Sequence, residues 1–188
     1  NGWQLKDEQG RQYGSFARLV VTTPPLQALP LLQSSPALCD PVRRAVMECC
    51  WVAVLQSDAG SATPFDVALC EQGTLCRMVR HDAKPGRSSG TVWQLQASAG
   101  WSLEHRDDDA DQVATALSAE AAEFGVVLPE TFTAWAHRWL YGFTACPVGI
   151  PCLVDREQNL GVCGDWLLGR SVQDAVSSAI QLVENMKG

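Results

Sequence analysis

The sequence predicts an α+β fold in which a mixed or antiparallel β-sheet is flanked by helices. Three observations support this prediction. Short apolar segments rich in β-branched residues recur between turn residues, as strands require. Two longer segments, 111–124 and 172–183, place apolar residues at helical spacing. Near the C-terminus, an apolar strand ends in Gly164-Asp165 and leads through a glycine loop into the second helix.

Composition restricts the classes of partner. The 188 residues carry a net charge of −7 and only 14 Lys and Arg, which disfavours nucleic acid and anionic membranes. No apolar run approaches the ~20 residues of a membrane span, and residues 1–6 lack the pattern of a signal peptide. The eight cysteines form no Cys-x-x-Cys pair and several lie in apolar strands, while the three histidines lack zinc spacing. We therefore expect a reduced, cytoplasmic protein without a metal and with a small-molecule substrate; its oligomeric state is open.

The N-terminal segment is expected to form a β-hairpin over residues 2–23 with its turn at 7–10. The second strand contains the continuous apolar run Leu19–Val21, which predicts a central strand that is buried on both faces. Thr22-Thr-Pro-Pro25 ends this strand, because proline cannot continue the ladder.

The middle of the chain is expected to begin with a helix over residues 36–47. Asp40 is the predicted cap and Pro41 the first helical residue. The strands predicted after this helix cover residues 49–56, 65–71, 74–80 and 91–97.

An acidic run, Asp107–Asp111, precedes the helix expected over residues 111–124. Its carboxylates would stabilise the helix N-terminus, which carries a partial positive charge. A metal site built from this run is the alternative. The next strand, 131–141, is rich in aromatic and β-branched residues. Its alternation places four large side chains on one face: Trp135, His137, Trp139 and Tyr141.

The C-terminal strand, turn and helix form the candidate ligand site. Ligands of open α/β sheets bind at the carboxyl ends of strands, and helix N-termini favour phosphate. Gly164 allows close approach of the backbone to a ligand, and Asp165 can accept hydrogen bonds from sugar-type hydroxyls. An ordinary strand–turn–helix with an acidic turn residue fits the same pattern. The final helix is expected to bury one apolar stripe, made of Val172, Ala175, Val176, Ala179, Ile180 and Val183.

Five stretches occur in an order and rough spacing that are shared with one group of flavoproteins: Cys50–Leu55, Ala83–Arg87, Trp93–Ala97 with Trp101, Ala136–Trp139 and Gly164–Trp166. Together they resemble the renalase-like branch of the flavin-containing amine oxidase superfamily. The members of this superfamily are FAD-dependent oxidoreductases. The strand that ends at Pro24-Pro25, with Gln27 after it, is similar to a strand-to-PxxQ junction of the same flavoproteins; a plain strand–helix junction is the alternative.

The resemblance implies FAD as cofactor. In that family the Asp of the Gly-Asp motif reaches the ribityl or pyrophosphate region, and the next helix N-terminus faces the phosphates or the isoalloxazine. Where the family usually has Arg-Val-Glu-Gly-Ala, this chain has Ser-Val-Gln-Asp-Ala at 171–175, which removes the family arginine. Carried over to this chain, the cofactor-binding positions are Gly164, Asp165, Trp166, Gly169, Ser171, Val172 and Thr23.

The resemblance also implies the chemistry. Renalase-like enzymes oxidise dihydropyridine forms of NAD(P) by hydride transfer to flavin, with oxygen as acceptor, and other members of the superfamily oxidise amines. His137 is the candidate catalytic residue, with a hydrogen-bonded core histidine as the alternative. Trp139 and Tyr141 are candidates for a flat apolar wall against the substrate. Three cations are candidates for binding nucleotide phosphates: Lys84, Arg87 and Arg138. Lys84 and Arg87, which lie in the predicted turn, also fit plain surface charge.

The motif that holds the FAD pyrophosphate is not in this sequence, which contains no Gly-x-Gly-x-x-Gly between a strand and a helix. We therefore expect an α/β flavoprotein fragment that does not retain FAD alone. Residues 1–25 would belong to the FAD domain, 26–150 to a substrate-binding domain, and 151–188 to the C-terminal FAD-binding strand, Gly-Asp motif and helix. Two alternatives are a non-catalytic ligand- or partner-binding module and a second chain that supplies the missing segment.

Overall fold

The computed structural model describes residues 2–87 and 90–187. Within them, the strands are β1 Trp3–Lys6, β2 Gln12–Phe16, β3 Leu19–Val21, β4 Val46–Ser57, β5 Val67–Leu69, β6 Leu75–Arg80, β7 Thr91–Ala97, β8 Thr133–Cys146, β9 Leu153–Asp155 and β10 Leu160–Val162. The α-helices are α1 Pro25–Ala28, α2 Pro36–Val42, α3 Ala99–Glu104, α4 Ala110–Glu123 and α5 Val172–Lys187. Short 3-10 turns cover Leu29–Leu32 and Asp165–Leu167. Mixed and antiparallel sheets with helices confirm the α+β prediction.

The chain forms two compact units. One combines residues 2–47 with 143–187 and is here called the terminal unit; the other, the central unit, covers Glu48–Gly142. These divisions differ from the predicted boundaries at 25 and 150. The reason is that α1 and α2 pack in one apolar cluster with the C-terminal strands, so they belong to the terminal unit.

The terminal unit has a three-stranded sheet in the order β3-β10-β9, with helices on both faces. α5 covers one face. This is seen at Gly161, where a side chain would meet Leu182 and Met186 of that helix. The opposite face carries Leu160 and Val162, which lie in one buried cluster with residues of α1 and α2. Strands flanked by helices on both faces are typical of α/β units.

The predicted hairpin forms between β1 and β2 only, and β3 does not take part in it. β3 instead pairs in parallel with β10, at one edge of the described sheet. The expectation of a strand buried on both faces was wrong: Val21 is buried, but Val20 is 45% exposed. The physical reason is that α5 packs on β9 and β10, which leaves the neighbouring face of β3 uncovered.

The helix expected over 36–47 is shorter than predicted and begins differently. Ser35 precedes it, and Pro36 rather than Pro41 occupies the first turn. Both prolines suit a helix start, and the earlier one is used. Asp40 and Pro41 therefore lie inside the helix, which ends at Val42, and β4 begins only four residues later at Val46.

The central unit contains a sheet in the order β5-β6-β7-β4-β8, in which the neighbouring pairs β5–β6, β6–β7 and β7–β4 are antiparallel. The apolar stripe predicted for α4 consists of Val113, Ala116, Leu117, Ala121 and Phe124. α4 packs on the sheet through three of these residues, Val113, Leu117 and Ala121, whereas Ala116 is exposed and Phe124 is 50% exposed. The acidic run starts this helix as expected, because the carboxylate of Asp109 accepts hydrogen bonds from the backbone N–H of Asp111 at 2.9 Å and of Gln112 at 3.4 Å.

α5 buries a different face from the one predicted. Ser178 and Leu182 are its buried residues, with Ala175 half-buried beside them. Leu182 faces the sheet because it fills the space over Gly161, and Ser178 faces the sheet because it bonds the backbone of Gly164 and Pro151 beyond the strand ends. Five apolar residues of the predicted stripe are exposed instead: Val172, Val176, Ala179, Ile180 and Val183.

Candidate functional site

The parallel pairing of β3 with β10 brings two distant parts of the chain to one edge of the sheet. Val21 lies opposite Val162, and the backbone N–H of Cys163 donates to the carbonyl of Val21 at 3.2 Å. The residues that follow the two strands, Thr23 and Gly164, therefore lie at the same carboxyl edge. This edge is where ligands of parallel sheets bind.

Trp166 connects the two strand ends. Its indole N–H donates to the backbone carbonyl of Thr23 at 3.2 Å, and its ring is buried in the apolar cluster. A Cβ at Gly164 would lie 2.6 Å from the indole nitrogen, so the ring leaves room only for glycine. The sequence predicts that Trp166 contacts a cofactor. In the structure its ring packs in the core and positions Thr23 and Gly164.

Two polar groups at this edge have no hydrogen-bond partner among the residues that the structure describes. The hydroxyl oxygen of Thr23 is buried and makes no hydrogen bond in the described structure. Asp165 is half-buried, and none of the described residues donates a hydrogen bond to its carboxylate. A buried polar group without a partner costs about 1–3 kcal/mol, so a ligand with hydroxyl groups would be stabilised here.

Ser178, which the sequence analysis did not single out, holds this turn in place. Its hydroxyl accepts from the backbone N–H of Gly164 at 3.0 Å and donates to the carbonyl of Pro151 at 2.6 Å. Local sequence gave no signal for it, because the apolar stripe predicted for α5 lies on another face of the helix.

The N-terminus of α5 already carries a negative charge. The carboxylate of Asp174 accepts from the backbone N–H of Arg170 at 3.0 Å and of Ser171 at 2.9 Å. Hydrogen bonds from the Ser171 hydroxyl and these N–H groups lower the pKa of Asp174. A Cβ at Gly169 would collide with the same carboxylate.

The arrangement at α5 bears on three predicted cofactor positions. Ser171 and the backbone N–H beside Gly169 are engaged by Asp174, and the side chain of Val172 is exposed. A phosphate that bound the backbone N–H groups of Arg170 and Ser171, just before α5, would have to displace a carboxylate of its own charge. The cause is in the sequence, because Asp174 stands where the resembling family has glycine.

In the central unit, β8 presents the predicted aromatic face to solvent. Trp135 and Trp139 are both more than half exposed, and His137 lies edge-on to Trp139 with ring centroids 4.8 Å apart. Ala134 and Ala136, on the other face, pack against the core. The alternation was therefore correct, and His137 lies on the exposed face rather than in the core.

The three predicted cations do not join this face. Arg138 lies on the opposite side of β8, where its guanidinium donates to the carbonyl of Arg106 and to Asp107 at 3.1 Å. Lys84 lies 3.3 Å from a ring nitrogen of His81 in the loop between β6 and β7, and Arg87 is exposed in the same loop. Tyr141 is half-buried on β8.

The predicted site residues thus fall into two groups. The terminal unit contains the predicted cofactor positions, and the central unit contains the predicted catalytic and substrate-binding positions.

None of the described helices is both long and apolar enough to cross a membrane.

Comparison with known proteins gives a match to the fold. No family model matches the chain. Among solved structures, a protein described as a putative protoporphyrinogen oxidase from Exiguobacterium sp. 255-15 superimposes with a TM-score of 0.68 at 19% sequence identity. The match covers 98% of this chain and 43% of that protein, so the chain spans less than half of its length. The chain therefore shares the α+β fold of part of that protein.

Proposed function

We propose that this chain is part of an FAD-dependent oxidoreductase of the flavin-containing amine oxidase type, and that the carboxyl edge of β3 and β10 contacts the cofactor. One observation carries the proposal. Parallel pairing places Thr23 beside Gly164 and Asp165, although the sequence separates them by more than a hundred residues. The fold match with a putative protoporphyrinogen oxidase supports the same class.

The residues present fit one part of FAD. The unpartnered hydroxyl of Thr23 and the carboxylate of Asp165 suit the hydroxyl groups of a ribityl chain, and Gly164 permits close approach. The pyrophosphate does not fit the turn before α5, because Asp174 holds the N–H groups of Arg170 and Ser171 there. A Gly-rich segment outside this sequence would have to bind it.

When bound, FAD accepts a hydride from the substrate and passes the electrons to oxygen. The aromatic face of β8 supplies the second part of the proposal. Trp139 and Tyr141 would stack on a flat dihydropyridine or bind an apolar amine, and His137 would hydrogen-bond the substrate and position it. A renalase-like substrate, a dihydropyridine form of NAD(P), is the specific proposal.

A non-catalytic module is the second candidate. The carboxylate at the start of α5 is the observation that favours it, since it occupies a position where a dinucleotide site would need free N–H groups. In this case the edge at Thr23 and Asp165 would bind a different hydroxyl-bearing ligand or a partner.

The deciding experiment is the visible absorption spectrum of two proteins: this chain, and a version extended upstream to any Gly-x-Gly-x-x-Gly segment in its gene. We expect flavin to copurify with the extended protein and not with this chain alone. Asp165→Asn and Thr23→Val should lower the flavin content of the extended protein, whereas Asp58→Asn, an exposed acid of the central unit, should not.

Two outcomes would contradict the proposal. An extended protein that stays colourless after incubation with excess FAD would favour the non-catalytic module. Unchanged flavin content in Asp165→Asn and Thr23→Val would show that this edge does not bind the cofactor. For the substrate assignment, His137→Ala should slow flavin reduction by a dihydropyridine while leaving flavin content unchanged.

A further inference from the structure

Two cysteines of the terminal unit lie opposite each other just beyond the ends of two paired strands. β9 and β10 are antiparallel, with Val154 opposite Gly161 and Leu153 opposite Val162. One residue further along each strand, the same register places Cys152 opposite Cys163. Both cysteines are reduced in the structure.

The backbone hydrogen bonds define the type of pair. Cys163 donates to Val21, and the carbonyl of Asn159 accepts from Leu19, so the odd-numbered residues of β10 direct their backbone groups towards β3. Continued one residue beyond the last ladder pair, this pattern gives Cys163 and Cys152 the positions of a non-hydrogen-bonded pair. In such pairs the Cα atoms are about 4.5 Å apart, which lies within the range of about 4.4–6.8 Å that disulfides span.

Both thiols lie on the sheet face that α5 covers. Gly161 faces α5, and Cys163 is two residues further on the same strand, so it shares that face. Cys152 also lies there, because its sulfur accepts from the side-chain amide of Asn185 on α5 at 3.5 Å. Opposite residues on one face bring their side chains together.

The chain segments stay adjacent beyond the cysteine pair. The carbonyl of Pro151 and the backbone N–H of Gly164 both bond the hydroxyl of Ser178, so one side chain connects the residue before Cys152 with the residue after Cys163. Burial raises the pKa of both thiols, and the proximity of Cys152 raises that of Cys163 further. Both are therefore protonated at neutral pH.

We propose that Cys152 and Cys163 are a redox-active pair that forms a reversible disulfide across β9 and β10. The oxidant is a low-molecular-weight disulfide. The thiolate of half-buried Cys152 attacks it and releases one small thiol; the thiolate of Cys163 then attacks the sulfur of Cys152 and releases the second. The two cysteine protons pass to the two small thiols that leave, so two cysteine thiols are oxidised as one disulfide is reduced.

A disulfide between these cysteines would affect the turn that follows Cys163. Cys163 immediately precedes Gly164 and Asp165, so a covalent link at Cys163 fixes the start of the turn that carries the candidate site. A disulfide that restricts the unfolded chain also stabilises the folded one. The oxidised terminal unit should therefore unfold at a higher temperature than the reduced one. The proposal does not depend on which ligand the turn binds.

The test uses the full chain, incubated under native conditions in a glutathione redox buffer and then alkylated. We expect wild type to lose two free thiols and two hydrogen atoms of mass, with digestion giving a linked peptide that joins Cys152 to Cys163. Cys163→Ser should give at most a mixed disulfide on Cys152. Cys146→Ser, which changes an exposed cysteine six residues from Cys152, is the matched control and should still form the bond.

The rate of bond formation should rise with pH, since the thiolate attacks and burial holds both pKa values above the ordinary range of a thiol. Three results would overturn the proposal: no intrachain disulfide in wild type, a bond between Cys146 and Cys152, or a bond that forms equally in Cys163→Ser. Thermal melts of each variant under reducing conditions would show that the fold is kept before oxidation begins.

Discussion

The two long helices, α4 and α5, both carry an apolar stripe at helical spacing, but only α4 buries most of the stripe that its sequence shows. Leu117 in the middle of α4 is fully buried, whereas Ile180 in α5 is 53% exposed. α5 packs on its sheet through Ser178 and Leu182 instead. The comparison shows that periodicity identifies an apolar face, while the neighbouring surface decides which face is covered.

The difference between the helices comes from the two sheet faces. α4 lies against large side chains of the central unit, such as Trp93 and Leu95, which an apolar stripe complements. α5 lies against Gly161 and beside the ends of β9 and β10, where backbone groups need hydrogen-bond partners. A serine satisfies these groups, and valine could not.

The largest expected effect comes from truncating an apolar side chain at the centre of each stripe. Leu117→Ala should destabilise the protein by about 2–5 kcal/mol, because it leaves a cavity in a packed core. Ile180→Ala should cost less than about 1 kcal/mol, because half of that side chain is already in water. Chemical denaturation of both variants measures this, and equal losses would contradict the difference in burial.

The second effect compares two buried serines. Ser178→Ala should cost about 1–3 kcal/mol, because the N–H of Gly164 and the carbonyl of Pro151 each lose a partner. Ser118 in α4 bonds only the carbonyl of Ala114 in its own helix. Ser118→Ala should therefore be close to neutral in the same denaturation experiment, and a larger loss than in Ser178→Ala would contradict the holding role of Ser178.

The third effect tests how closely α5 approaches β10. A Cβ in Gly161→Ala would come within 2.8 Å of the ends of the Leu182 and Met186 side chains. Because these ends are flexible, we expect a cost near the lower end of the ~1–3 kcal/mol of overpacked cores. Gly60→Ala, where the added methyl group meets nothing within 4 Å, is the control and should not destabilise. A neutral Gly161→Ala would mean that α5 packs more loosely.

The smallest effect concerns the start of α5 and depends on pH. The pKa of Asp174 is lowered in the folded protein, mainly by the Ser171 hydroxyl, so its stabilising effect is present above the ordinary pKa of 3.8 and is lost as pH falls through the lower folded value. Asp174→Asn should therefore be less stable than wild type at pH 7, with the difference disappearing in acid. Gln173→Ala, at an exposed neighbour, should show no such pH dependence; a constant difference would rule out the carboxylate as the cause.

Much of the central unit could be predicted from local patterns. β7 has the predicted bounds, and α4 differs by one residue at each end. Both elements combine strong periodicity with clear ends, at Asp109 for the helix start and at Gly125, whose positive φ only glycine adopts readily. α2 was harder, because two prolines offer equivalent starts and a local pattern cannot choose between them.

The candidate site could be predicted in part. Gly164 and Asp165 were recognised as a turn at the end of a strand, and the structure places them at a carboxyl edge. Their neighbour Thr23 follows from strand pairing over more than a hundred residues, which local patterns do not report. Arg138 shows the opposite case, since its charge suggested phosphate binding but Asp107 and a backbone carbonyl engage it.

The sequence by itself determined the fold class, the positions of the main strands and helices, the shared face of the aromatic residues of β8 and the Gly-Asp turn, because these depend on periodicity and turn chemistry within short segments. Only the tertiary structure decided that β3 pairs with β10, that α5 buries Ser178 and Leu182, that Asp174 holds the start of α5, and that Cys152 lies opposite Cys163. These features depend on which surfaces meet, and the free energy of burying one face rather than another is set by residues distant in the chain.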